Sequence, residues 1–253
     1  MTLPLPLLQG HRPIRMIILD CGRFSVRGGA RIIGIPAYLI ETDHGAKILV
    51  DGGFPPAYWT DIKAASKADG LETFGALIDS DPGKTLPAQL ALAGTALTDI
   101  TAHVLTHGHI DHVGALPLIT CPLILTATER ADPAPRYYAD RRPLAWPDVE
   151  TITITGQTAL CDGLTLVPTP GHTPGHLSVL LTLPRTGHVI LAADALNRAS
   201  EPAEHFTDAA DPACAMSSAA DLFQRQTETG ALLIYGHDPA QWPTLRKAPD
   251  AYL

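Results

Sequence analysis

Cysteine, aromatic and basic residues are all scarce in this chain of 253 residues, and each scarcity removes a class of protein. The four cysteines, Cys21, Cys121, Cys161 and Cys214, make no C-x-x-C pair, which excludes a zinc knuckle or a dithiol redox motif. They read as small buried hydrophobes and suit a reducing, cytoplasmic setting. Lys and Arg number 18 against 26 Asp and Glu, for a formal charge of −8, so a groove for nucleic-acid phosphates is not expected. No stretch of about 18 uncharged apolar residues occurs, so no membrane span is expected either. The apolar start, Met1 to Leu8, is broken by prolines and lacks a basic n-region, which makes it a poor signal peptide. Charged residues make up only 17% and hydrophobic residues 45%, a balance unlike that of disordered or fibrous chains. The length fits one layered α/β or α+β domain covering residues 1–253. A monomer or homodimer is expected.

Glycine and proline, by contrast, are plentiful at 21 and 23, and they punctuate short apolar runs instead of collecting in a linker. Strands are predicted at 14–19, 32–41, 47–50, 102–105, 123–126, 151–154, 164–167, 177–182, 189–192 and 232–235. Helical spacing of Leu86, Leu90, Ala93 and Leu97 predicts a helix over 86–97, and 213–226 predicts another. A short helix should start near Asp111. Residues 55–86 read as a loop with some helix, placed as a lid. Many strands interleaved with few helices imply sheets covered by helices.

Histidine is the other abundant residue, with 11 in the chain. Thr106-His107-Gly108-His109-Ile110-Asp111-His112 follows an apolar strand. In extended chain, residues two apart face the same way, so His107 and His109 can present two imidazoles to one ion. The turn that follows aims Asp111 and His112 elsewhere, which suits a second ion. Pro170-Gly171-His172-Thr173-Pro174-Gly175-His176, the strand end Ala192-Ala193-Asp194, and Tyr235-Gly236-His237-Asp238 add polar groups at further strand ends. His107, His109 and His172 make one donor set and Asp111, His112 and His237 another, with Asp194 able to bridge. An all His/Asp set favours an open catalytic site over a closed structural one, and suits two divalent ions, Zn²⁺ foremost, with Fe, Mn or Co compatible. His176 is left over and is expected to pack or hydrogen-bond within its turn. Asp51, at the end of its strand, is expected to orient a ligand imidazole.

These motifs, together with Ile48-Leu49-Val50-Asp51-Gly52-Gly53, resemble the metallo-β-lactamase superfamily over nearly the whole chain. The resemblance implies an α+β fold, an αββα sandwich of two mixed sheets flanked by helices, with a dinuclear site along one edge. Within the superfamily the motif spacing is most similar to the N-acyl-homoserine lactonases, which implies a quorum-quenching hydrolase opening a small-molecule lactone. A bridging carboxylate at Asp194 is unlike the true β-lactamases, and His109 is unlike the flavodiiron pattern, which has Glu there. Glyoxalase II-like thioesterases share the ligands but carry a further helical region, for which the residues after His237 are too few. The lactonases usually place a Tyr three residues after the bridging Asp, where this chain has Asn197. Either the Asn197 amide donates to the lactone oxygens in its stead or the oxyanion is held by metal alone. Residues 22–35 look shorter than the family's N-terminal loop.

The implied reaction uses Asp111 as the proton carrier to the leaving ring oxygen, with Asp111 and Asn197 as the catalytic side chains. Phe24, Phe74, Trp146 and Phe206 are the candidates for an apolar wall beside an acyl chain. The rival activities are hydrolysis of another lactone, a thioester or a phosphodiester by the same metals, and a metal-stabilised binding module.

Overall fold

Alternation of burial along the first strands shows why two sheets form. In the computed structural model, which describes residues 8–79, 81–137 and 140–253, Met16, Ile18, Tyr38, Ile40, Ile48 and Val50 face one apolar cluster. Their neighbours Ile17, Leu19, Ala37, Leu39 and Leu49 face another. Strands buried on both sides must be covered on both sides, which is the reason for a layered fold.

The first sheet contains β1 (Pro13–Val26), β2 (Arg31–Thr42), β3 (Lys47–Val50), β4 (Gly75–Leu77), β5 (Ala102–Val104), β6 (Leu123–Thr126) and β7 (Thr151–Ile154), in the order β4-β1-β2-β3-β5-β6-β7. Strands β1 to β3 pair antiparallel, and β3, β5, β6 and β7 run parallel. The second sheet contains β8 (Thr158–Cys161), β9 (Leu164–Pro168), β10 (Leu177–Leu183), β11 (Gly187–Ala193) and β12 (Leu232–Tyr235), in the order β12-β11-β10-β9-β8. Both sheets are mixed, and their inner faces meet where Ile18, Tyr38, Val104 and Ile124 join Leu166, Val179, Leu191 and Ile234. Outside the first sheet lies α3 (Leu86–Leu92), burying Leu86 and Leu90. Outside the second lies α5 (Pro212–Thr229), burying Ala215, Ala219 and Leu222 against Ile190, Ala192 and Leu233. The expected αββα layering is therefore present.

Helix α5 has clear ends: Asp211 accepts from Cys214 N at 3.0 Å, Pro212 opens the first turn, and Gly230 closes it at φ +66. The predicted helix over 86–97 stops at Leu92, and a 3₁₀ turn at Leu97–Asp99 follows. Gly94, at φ +76, turns the chain between them. The segment read as a loop over 55–86 contains α1 (Pro56–Thr60), α2 (Ile62–Asp69) and the short strand β4. Strand β8, Thr158–Cys161, was not expected, because it contains neither Val, Ile nor an aromatic residue to mark a strand. Residues 22–35 form the tip of the long β1–β2 hairpin, with Phe24 opposite Ile33 and Val26 opposite Arg31. Residues 1–7, where the signal-peptide reading falls, lie outside the described residues.

Strand direction positions the site. Because β9 pairs antiparallel with β10, β10 antiparallel with β11, and β11 parallel with β12, the C-terminal ends of β9, β11 and β12 share one edge. The segments leaving those ends carry His172, Asp194 and His237, and the segment leaving β5 carries His107 to His112.

Candidate metal centre

After β5 the chain leaves the sheet, and His112 N donates to His109 O at 3.0 Å, closing a turn that splits the motif into two directions. A 3₁₀ turn at Val113–Ala115 follows, in place of the expected helix. The side chains assemble into two groups, His107, His109, His172 and Asp194 in one, Asp111, His112 and His237 in the other, with donor atoms within 4.8 Å of one another in each. Asp194 lies between them. Its Oδ2 is 3.1 Å from His172 Nε2 and 3.8 Å from His107 Nε2, while its Oδ1 is 3.3 Å from His112 Nε2 and 3.2 Å from His237 Nε2. His172 Nε2 also lies 2.9 Å from His109 Nδ1, and Asp111 Oδ2 lies 3.3 Å from His237 Nε2. All seven residues expected from the sequence to hold metal are thus brought together, in the two expected sets.

Two of the imidazoles, His112 and His237, are oriented from behind. Asp51 Oδ2 lies 2.8 Å from His112 Nδ1, and the same carboxylate accepts from Thr106 N at 2.9 Å and Thr106 Oγ1 at 2.8 Å. Asp51 therefore sits where the sequence reading put it. His237 Nδ1 donates to Gly34 O of β2 at 2.8 Å, which leaves Nε2 as its open donor. His107, His112 and His237 are buried, and the Nε2 of each lacks a hydrogen-bond partner. Buried imidazole nitrogens without partners are costly, and here they converge with carboxylates. That arrangement fits divalent cations with N/O ligands.

His176 hydrogen-bonds within its turn, as expected, but does more. Ser178 Oγ donates to Ala192 O at 2.9 Å, so Thr169 Oγ1 donates to Ser178 Oγ at 2.8 Å and accepts from His176 Nδ1 at 2.9 Å. His176 Nε2 is left as an acceptor and takes Asp194 N–H at 3.0 Å. The chain holds the turn at Ala193, whose φ of +46 is rare for a residue with a Cβ, and so fixes where Asp194 points.

The electrostatics divide the two groups. Burial holds His107 and His109 well below their ordinary pKa, helped by the neighbouring imidazoles, so they are neutral donors. Burial also opposes the charged forms of His112 and His237, but carboxylates overcome it. Asp51, Asp194 and Asp111 hold His112 well above its ordinary value, and Asp194 and Asp111 push His237 up to about 9. Asp194 stays ionised despite its burial, because His237, His112 and His172 surround it. The same carboxylates that favour a positive charge on His112 and His237 favour a cation beside them.

The groups open on a cavity of about 450 Å³ lined by His109, Asp111, His172, Asp194, Asn197 and His237 at its floor. Phe24, Val26, Ile33, Phe54, Leu71 and Phe74 form its apolar wall. Phe24 and Phe74 were expected there, whereas Trp146 and Phe206 belong to the apolar clusters outside the two sheets. Ile33 was hidden because pairing across the hairpin, not spacing along it, brings it opposite Phe24, while Val26, two residues beyond Phe24 on β1, shares its face. Asn197 sits between two carboxylates. In one amide orientation its nitrogen donates to Glu201 Oε1 at 3.3 Å, and in the other it reaches Asp194 Oδ1 at 3.3 Å and Oδ2 at 3.2 Å. Its backbone N–H also donates to the buried Glu201 Oε2, at 2.6 Å. A residue the sequence reading passed over is Glu129. It stands alone in the sequence, yet its buried carboxylate touches both ligand-bearing loops.

Two mixed sheets between helices, with a His/Asp cluster at the strand ends of both, define a class of metal-dependent hydrolase fold. The chain belongs to the metallo-β-lactamase superfamily, whose family model matches residues 32–237. It is 29% identical over 238 residues to an N-acyl homoserine lactonase, AttM, of Azorhizobium caulinodans, covering 87% of this chain and 88% of that protein. It is 28% identical over 237 residues to the N-acyl homoserine lactonase AiiA of Bacillus thuringiensis subsp. kurstaki, with the same coverage. Among solved structures, an N-acyl homoserine lactone hydrolase with N-hexanoyl-L-homoserine bound at its catalytic metal centre superposes with a TM-score of 0.78. That match has 22% identity and covers 95% of this chain and 100% of the other.

Proposed function

We propose that this protein is a dinuclear metal-dependent lactonase that opens N-acyl homoserine lactones, with Zn²⁺ as the favoured metal. The observation that carries the reading is the pair of ligand groups sharing Asp194 at the floor of an apolar-walled cavity. His107, His109 and His172 would hold one ion and Asp111, His112 and His237 the other. Two such ions supply Lewis acidity and an acidified water. The residues do the rest. Asp111 lines the cavity and has the most exposed side chain among these carboxylates, so it can take a proton and return it to the ring oxygen as the C–O bond breaks. Asn197 has two amide hydrogens, and whichever carboxylate takes one, the other is free for a lactone oxygen. The apolar wall takes the acyl chain. Because each buried methylene contributes about 0.8 kcal/mol, kcat/KM should rise about fourfold per added methylene until the wall is filled. The four free cysteines are in keeping with a cytoplasmic location.

The test is a pH-indicator assay on homoserine lactones of increasing acyl length, since opening the ring releases a proton. A thioester and a nitrophenyl phosphodiester serve as rival substrates. His107→Ala or His109→Ala should abolish both metal uptake and turnover. Full activity in chelator-treated, metal-free protein overturns the proposal.

A further inference from the structure

The two loops that carry His107, His109 and His172 follow strands of different sheets, and one backbone bond, from Leu177 N to Thr106 O at 3.0 Å, ties them at the strand ends. A second link, further out among the ligands, is α4 (Ala127–Arg130), which follows β6. Its N-cap, Thr126, accepts from Glu129 N at 3.0 Å and donates to Gly175 O at 2.6 Å, which docks the helix start on the 170–176 loop. A Cβ at Gly175 would collide with the Glu129 backbone, so the glycine is required by this approach. From there the buried Glu129 side chain reaches both ligand loops at once. Oε1 accepts from Gly108 N, between His107 and His109, at 2.8 Å, and Oε2 accepts from Thr173 Oγ1, beside His172, at 2.9 Å. Gly108 has no positive φ to explain it. A Cβ there would meet Glu129 Oε1 at 3.1 Å and Arg136 N at 3.0 Å, so the middle glycine of His-Gly-His makes room for the clamp.

We propose that Glu129 is a positioning residue that holds the three imidazoles of the His107/His109/His172 group in ligating register, by joining the two loops through one carboxylate. The inference rests on the metal reading above. Glu129 hydrogen-bonds to Gly108 N and Thr173 Oγ1 and not to a ligand side chain, so its effect is transmitted through the backbone at Gly108 and through Thr173. The other group, Asp111, His112 and His237, has its own supports in Asp51 and Gly34 and is independent of the clamp.

Metal content and chelator competition on the full chain test this. Glu129→Gln retains an oxygen for Gly108 N–H and an amide for the Thr173 hydroxyl, so it should hold two ions per chain with competition midpoints close to wild type. Glu129→Met keeps the volume but neither bond, and should hold one ion normally and the other about 10- to 100-fold more weakly. Thr173→Val, which cuts one arm only, should fall between them. Two ions retained in Glu129→Met at wild-type midpoints overturn the proposal. So does equal loss of both ions in Glu129→Gln and Glu129→Met, which marks a merely structural role. If Glu129→Met does not fold, Glu129→Gln and Thr173→Val decide by the same criteria. Wild-type protein that takes up no metal overturns the lactonase reading itself.

Discussion

At the residue scale, His112 and His237 are each fixed by a partner on one ring nitrogen that leaves the other open. Asp51 shows this most directly. It sits at φ +58, a backbone setting that Asn tolerates, and bonds both His112 and the Thr106 peptide. Asp51→Asn therefore removes the charge while preserving the backbone. Metal affinity should drop by about 10- to 100-fold, with little change in far-UV circular dichroism, as measured by chelator competition. Ala193 illustrates the opposite economy. A strained alanine persists because His176 holds the next N–H, and the strain serves to aim Asp194 between the two groups. Motif spacing singled out four of the seven candidate ligands, His107, His109, Asp111 and His112, since His-x-His-x-Asp-His after a strand has few other uses, and the remaining three, His172, Asp194 and His237, stood at further strand ends. Glu129, Thr169 and Ser178 carried no such mark, because isolated polar residues acquire meaning only from what lies across the fold.

At the element scale, β5 carries a second histidine that the site does not use. His103 is fully buried, and neither ring nitrogen is in hydrogen-bonding geometry with a partner. It pairs with Leu49 and Leu123. Burial lowers its pKa from 6.5 to about 4, with Asp51 and the Leu49 backbone opposing. The folded form is therefore neutral across a range in which the unfolded chain takes up a proton. Its share of stability is intact above pH 6.5 and is lost as pH falls toward 4, a change on the order of 3 kcal/mol. His103→Leu lacks this term. With both proteins chelator-treated, urea midpoints should show the variant gaining on wild type as the pH drops from 7 to 4.5; a constant gap refutes the assignment. Long elements were legible from pattern, because β2 and α5 repeat their period many times. Among the short ones, β3, β5, β6, β7 and β12 were legible from their Val, Ile, Thr and Tyr content, whereas β4, β8 and α4 were not, because three or four residues cannot establish a period and Gly75–Leu77 and Thr158–Cys161 contain neither Val nor Ile.

At the scale of the whole molecule, the cluster lies where the sheets meet. His107, His109, Asp111 and His112 follow a strand of the first sheet, while His172, Asp194 and His237 follow strands of the second. Ions bound there tie the two sheets together and bind the folded state only. Metal at 1,000 times its Kd adds about 4 kcal/mol of stability. For a chain of this size that corresponds to a fall in Tm of about 8 to 16 °C on chelation, measurable by calorimetry. An unchanged Tm refutes metal binding at this junction.

By itself the sequence determined the chemistry and the layering. Histidine and aspartate at strand ends form a donor set suited to a metal, and strands apolar on both faces demand cover on both sides. Tertiary structure alone decided the rest: that Val26 and Ile33 join Phe24 in the cavity wall, that Asn197 stands between Asp194 and Glu201, and that Glu129 clasps two loops. The physical reason is range. Periodicity and motif spacing record regular repeats between near neighbours, whereas the Glu129 contacts join residues 21 and 44 positions apart, Ile33 meets Phe24 across a hairpin, and even Asn197, close in sequence to its two carboxylates, meets them through an irregular turn that no period announces.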